Sequence, residues 1–259
     1  MVQRIPGPPG SRAQRLRGIG RHLPVGLITP RHLVGAGFHN IHTSAAAVPV
    51  TLETGGTRNA APSETDASSY TFSSISFGTA AADRHIVCVG GWEHSTSAST
   101  DPSSVTIGGV TATKVLTRND GRYDRSFMYI AAVPSGTSGS LVVNLPVTAW
   151  RCGMGCFSIY GADITPTATG TDSGVSGSED LEVSIDVDAG GVIVAVAENN
   201  TATGGYTWVG IDEIWDEVEA SLCVSGAAKT FSAAETVAVQ ANLHSTNGAT
   251  LCVAAFGPA

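Results

Sequence analysis

Residues 181–199 read LEVSIDVDAGGVIVAVAEN, and the fold class turns on this stretch. Leu181, Val183, Ile185 and Val187 alternate with Glu182, Ser184, Asp186 and Asp188. A period of two places the apolar set on one face of a strand and the polar set on the other, so the segment has one buried and one wet face. Asp188, Ala189, Gly190 and Gly191 form a turn signal, after which VIVAVAE returns as a nearly continuous apolar strand.

An earlier stretch echoes this arrangement: YTFSSISF (70–77), GTAAADR (78–84) and then HIVCVGGW (85–92) suggest two similar hairpin units. Further short apolar runs follow, among them SSVTIGG, RSFMYIAAV, GSLVVNLP, WRCGMGCFSIYG, EASLCVSG, ETVAVQANLH and TLCVAAFG. Roughly a dozen strands with frequent turn signals, and no convincing amphipathic helix, predict an all-β, jelly-roll-like β-sandwich. TPTATGTDSGVSGSED (165–180) reads as a long loop or a boundary between halves. The strands before it look too few to close their own sandwich, so residues 47–259 are expected to form one domain.

Residues 1–46 differ in kind. They carry six arginines and no acid, whereas the rest of the chain carries eight basic residues against 22 acids. Such asymmetry marks a basic arm on an acidic body. Gly and Pro break both helix and ladder there, and the apolar residues show no period. An extended, irregular arm ordered by a partner's groove is the expectation, with Arg15, Arg17, Arg21 and Arg31 meeting acidic surface. Leu23, Val25, Leu27, Ile28, Leu33 and Phe38 would fill pockets. That apolar content suits a protein groove better than nucleic acid. The first 30 residues lack the continuous apolar run of a secretory leader, and no run near 20 apolar residues spans a membrane.

Motifs of enzyme chemistry are sparse. There is no phosphate-cradling loop, no His-Glu-x-x-His and no Gly-x-Ser-x-Gly. Ser173 in TDSGVSG lies where no scaffold is expected to hold it strained and exposed. Cys88, Cys152, Cys156, Cys223 and Cys252 each sit in an apolar run, as buried free thiols do. Cys152 and Cys156 share a strand face, but no nearby His completes a zinc site. No catalytic residue, metal ligand or cofactor is therefore assigned. IDEIWDEVE (211–219) reads as a solvated acidic edge, with calcium as its alternative. A candidate glycan-binding set is Trp92, Glu93 and His94 with Tyr206 and Trp208. The competing reading has Trp92 and Trp208 plugging the ends of the core.

Several stretches together, YTFSSISFGTAAADRHIVCVGGWEH, SSVTIGGVTATKV, AAVPSGTSGSLVVNLPVTAWRCGMGCFSIYGAD and YTWVGIDEIWDEVEASLCVSGA, resemble β-rich accessory proteins of tailed bacteriophages and prophages. The likeness spans roughly residues 68–256 and is one of texture and order. It implies a non-enzymatic virion component, a tail fibre, tail-tip or capsid decoration protein, assembled in the bacterial host cytoplasm. It also implies tail or capsid proteins as partners and a homo-oligomer such as a trimer. The arm would be the anchor, and the outward-facing sandwich would be available to contact a host-surface glycan. A free carbohydrate-binding module is the alternative.

Overall fold

The computed structural model of the chain describes residues 47–53, 60–63, 66–94, 101–174, 180–200, 205–219, 221–243 and 248–259. The basic segment and all its anchoring residues lie outside them. The described residues fall within one compact unit, Ala45–Ala259, and contain strands but no helix.

The first ten strands are β1 (Thr51–Glu53), β2 (Ala60–Ser63), β3 (Ala67–Ser76), β4 (Arg84–Glu93), β5 (Ser104–Ile107), β6 (Val110–Thr111), β7 (Thr113–Asn119), β8 (Asp124–Ala132), β9 (Ser138–Ala149) and β10 (Arg151–Tyr160). They form two sheets, ordered β1-β10-β4-β8-β7, with β2 also on β10, and β3-β9-β5-β6. The pairs β1·β10, β3·β9, β4·β8 and β5·β6 are those of a long hairpin wrapped into a jelly roll. Gly108 and Gly109, both at positive φ, make the two-residue turn that lets Ile107 face Val110. The chain then leaves β6 and crosses to the other sheet as β7.

The remaining strands repeat this plan. They are β11 (Ala168–Gly174), β12 (Leu181–Val187), β13 (Val192–Asn199), β14 (Tyr206–Val209), β15 (Asp212–Glu219), β16 (Leu222–Thr230), β17 (Glu235–Leu243) and β18 (Ala249–Phe256). Their sheets run β11-β18-β13-β16-β15 and β12-β17-β14, the order of the first roll without counterparts of β2 and β6. The hairpin echo in the sequence thus extends to a duplication of the whole jelly roll. One expectation needs correction and one is met in part. Strands before residue 165 do close their own sandwich, and the 165–180 stretch, read as a loop or a boundary between halves, lies where the halves meet but contributes Ala168–Gly174 as the first strand of the second one. Its Thr, Ser and Gly composition hid a strand whose pairing with β18 is satisfied mainly through backbone groups.

The two sandwiches stack through their larger sheets. In β4, Ile86, Cys88 and Trp92 face the outer sheet, while Val87 and Val89 face the second jelly roll. Val192, Val194 and Val196 of β13, with Cys252, Ala254 and Phe256 of β18, meet them from the other side. Edge strand β7 lies near β11, and β2 lies near β15, so each roll's fifth strand covers the other's first edge in an approximate two-fold arrangement. Both large sheets are therefore covered on both faces, which explains their continuous apolar runs. Each fully buried Val or Ile contributes about 1.5–3 kcal/mol, making this central layer a major source of stability.

Candidate functional site

At one end of the central layer the apolar series gives way to acids. On the face of β4 that carries Val87 and Val89, the series continues through Gly91 to Glu93. On β13 the series Val192, Val194, Val196 ends in Glu198. Asp124 opens β8 directly opposite Glu93. These three carboxyl groups, 0–2% exposed, each offer an oxygen within 4.8 Å of the others. Gly91 makes the approach possible, because a Cβ there would stand 2.2 Å from Glu198 Cγ.

The outward-turned oxygens are held. Glu93 Oε2 accepts from Arg151 Nη1 at 3.2 Å and from Ser221 Oγ at 3.4 Å. Glu198 Oε2 accepts from Thr250 Oγ1 at 3.1 Å. Arg151 and Thr250 are the cross-strand partners of these two glutamates, so sheet register alone delivers them. A fourth acid, Asp120, turns Oδ1 to the amides of Arg122 and Asp124, at 2.7 and 3.1 Å. Arg125 stacks on Trp92, 4.5 Å from the ring centroid, and donates to the Tyr123 carbonyl.

The inner oxygens are left over. Among the described residues no donor reaches Glu93 Oε1, Asp120 Oδ2, Glu198 Oε1 or either oxygen of Asp124. Their remaining neighbours are one another. At this spacing two ionised carboxylates repel by about 3 kcal/mol even at an effective dielectric constant of 20. Three such pairs would consume much of a domain's net stability of about 5–15 kcal/mol. Burial first, then the charges of Asp120 and Glu93, push Asp124 up to about 9. Burial and Asp124 raise Glu198 well above the carboxylate range, and burial raises Glu93 against the pull of Arg151. Arg125 is lowered by burial, with Glu198, Asp120 and Asp124 opposing. The group must therefore take up protons or a cation, and all-oxygen donors of this kind suit hard cations.

The sequence-assigned residues are distributed differently from the expectation. Trp92 is 1% exposed beneath Arg125 and packs in the first sandwich core. Tyr206 is buried in the second core, and half-buried Trp208 donates from Nε1 to Ser225 Oγ at 2.8 Å. Trp92, Glu93 and Tyr206 are thus buried side chains, with Trp92 inside the core as the competing reading has it. The physical reason is alternation: the side chain next to an exposed loop still points inward if its strand register says so. His94 stays at the surface end, 6.5 Å from the Trp150 ring. Trp150 and Tyr123, 37% and 42% exposed, stack with centroids 6.2 Å apart. This aromatic corner, beside rather than within the proposed sugar set, was not apparent in sequence.

Asp120, Asp124 and Glu198 were also missed. For Asp124 and Glu198 the signal was an acid in step with a buried apolar series, as in VIVAVAEN; Asp120, in the turn before β8, had none. The five cysteines are buried free thiols. Burial drives Cys223 and Cys252 up to about 12, consistent with inert apolar packing. The acidic stretch Asp212–Glu219 forms edge strand β15, with Asp212 and Glu213 exposed and Trp215 turned inward. Ser173 sits on edge strand β11 and accepts from Arg118 Nη2.

No protein-family model, curated protein or solved structure matches the chain.

Proposed function

We propose that the chain is a non-enzymatic structural protein of a tailed-bacteriophage virion, in which the basic segment 1–46 anchors a rigid double jelly-roll body to tail or capsid proteins. The observation that carries this reading is the four-sheet stack, whose two central sheets are buried on both faces. Such a body is stiff, suited to display on a particle. Among the described residues, the carboxyl cluster of Glu93, Asp124 and Glu198 is buried between the sheets, out of reach of a polymer substrate, which supports a non-enzymatic reading. The acidic edge β15 discourages edge-to-edge aggregation in a crowded assembly. In a tail fibre the body would repeat as a homo-oligomer such as a trimer.

The test is mass spectrometry of particles purified from the phage or induced prophage that encodes the chain. The chain should co-purify at fixed copy number, and a form lacking residues 1–46 should stay in the lysate. Normal incorporation of that shortened form would refute the anchor, and absence of the intact chain from particles would refute the virion role.

A host-surface glycan is a second reading, favoured by the stacked Tyr123–Trp150 pair beside His94. Exposed aromatic faces of this size are suited to stacking on a sugar ring.

A further inference from the structure

We propose that Glu93, Asp120, Asp124 and Glu198 bind one divalent cation, Ca²⁺ by preference, which staples the two jelly rolls together. A cluster of acids alone would carry little. Here, three carboxylates divide their oxygens the same way: one is held by the protein and the other is turned inward without a donor among the described residues. Asp120 adds an independent pointer, since it lies outside the tight trio. It is 6% exposed, its Oδ1 is fixed by two amides, and its Oδ2 is aimed at the same place as Asp124 Oδ2. Both oxygens converge on Gly248, where a Cβ would lie 2.3 and 2.7 Å from them.

Charge agrees with this assignment. Four carboxylates face two guanidinium groups, Arg125 and Arg151, so two negative charges remain, the complement of one divalent ion. The donors are all hard oxygens, which favours Ca²⁺ over zinc or copper. The uncommitted oxygens, both of Asp124 and one each from Glu93, Asp120 and Glu198, supply five ligands, and water would complete the six to eight that Ca²⁺ takes. Mg²⁺ demands a stricter octahedron and gives up water reluctantly, so it should bind more weakly. Glu93, Asp120 and Asp124 come from the first jelly roll and Glu198 from the second. The ion would therefore bridge the central layer where its apolar contacts end, in place of protons shared among the acids.

The experiment uses the full chain. Metal content after purification without chelator is measured by elemental mass spectrometry, and thermal melting is followed in chelator and in millimolar Ca²⁺, Mg²⁺ or Mn²⁺. About one equivalent of metal is expected, with Ca²⁺ raising Tm by about 5–10 °C over chelator when present at a hundred times its Kd. Glu198→Gln and Asp124→Asn keep shape and remove charge, and each should abolish most of that shift. Identical melting in chelator and in all three cations would overturn the proposal, as would a Ca²⁺ shift that survives both substitutions. The chelator comparison needs only the unaltered chain, so it decides the matter even if the variants fold poorly.

Discussion

Glu93 and Glu198 occupy equivalent places in the two jelly rolls, each at the end of a third strand, and their carboxyl oxygens come within 4.8 Å across the central layer. Each is steadied by its own cross-strand neighbour, Arg151 in one roll and Thr250 in the other. Duplication followed by face-to-face stacking brings like residues together near the approximate two-fold axis. A repeated acid thereby becomes a shared site.

Room for that meeting comes from Gly91. Gly91→Ala places a methyl 2.2 Å from Glu198 Cγ, between packed sheets that cannot open locally. A loss of about 3 kcal/mol is expected in urea unfolding, with little change in the denaturant slope. Unaltered stability would mean that Glu198 does not lie over Gly91.

Arg84 is fully buried and donates to a set of backbone carbonyls. Nε reaches Val133, Nη1 reaches Phe77, Gly78 and Thr79, and Nη2 reaches Ser135 and Gly136, at 2.7–3.2 Å. It ties the β3–β4 and β8–β9 turns at one end of the first sandwich. Arg84→Ala should cost about 3–5 kcal/mol in chemical denaturation, because several buried acceptors lose their donor together. Arg84→Lys should recover only part, since an ammonium offers three donors and no fork. Full recovery by lysine would show that charge, not geometry, is what these turns need.

The first edge carries a pH dependence. Tyr160 Oη donates to Glu53 Oε2, and the Thr79 amide and hydroxyl donate to the same carboxylate. These bonds, the Tyr160 one foremost, hold Glu53 below its ordinary range. A lowered carboxylate contributes stability above its unfolded pKa and loses it as pH falls through the folded value. Tyr160→Phe should therefore cost a few tenths of a kcal/mol at neutral pH, the size expected of a largely solvated contact. The gap from the unaltered chain should shrink as the solution is acidified below about pH 4. A gap constant from neutral to acid pH would assign the effect to packing instead.

Trp150→Ala separates display from recognition. Trp150 is partly exposed and stacks on Tyr123, so its loss should shift stability by no more than about 0.5–1 kcal/mol. Any glycan-array signal of the intact chain should then disappear. Retention of that signal in the folded variant would remove the aromatic corner from consideration.

Much of the architecture was legible along the chain, and the reason is local. Alternation in LEVSIDVD and continuity in VIVAVAE report which faces of a single strand are dry, and the structure has them as β12 and β13 with those faces buried. The doubling of the jelly roll was only hinted at, because equivalent strands share pattern and order more than residues. Ala168–Gly174 lacked even the pattern. Its role as a first strand depends on an edge that β18 offers from far along the chain.

The site lay beyond sequence reading for the same physical reason. By itself the sequence determined an all-β body, its turn positions, its buried thiols and the acidic edge at Asp212–Glu219. Tertiary structure alone decided that Trp92 is covered by Arg125 and that Tyr123 meets Trp150. It also decided that Glu93, Asp124 and Glu198 share one sealed space. Strand periodicity is written by neighbours one or two residues apart. The company a side chain keeps across two stacked sheets is set by packing between segments that carry no mark of each other.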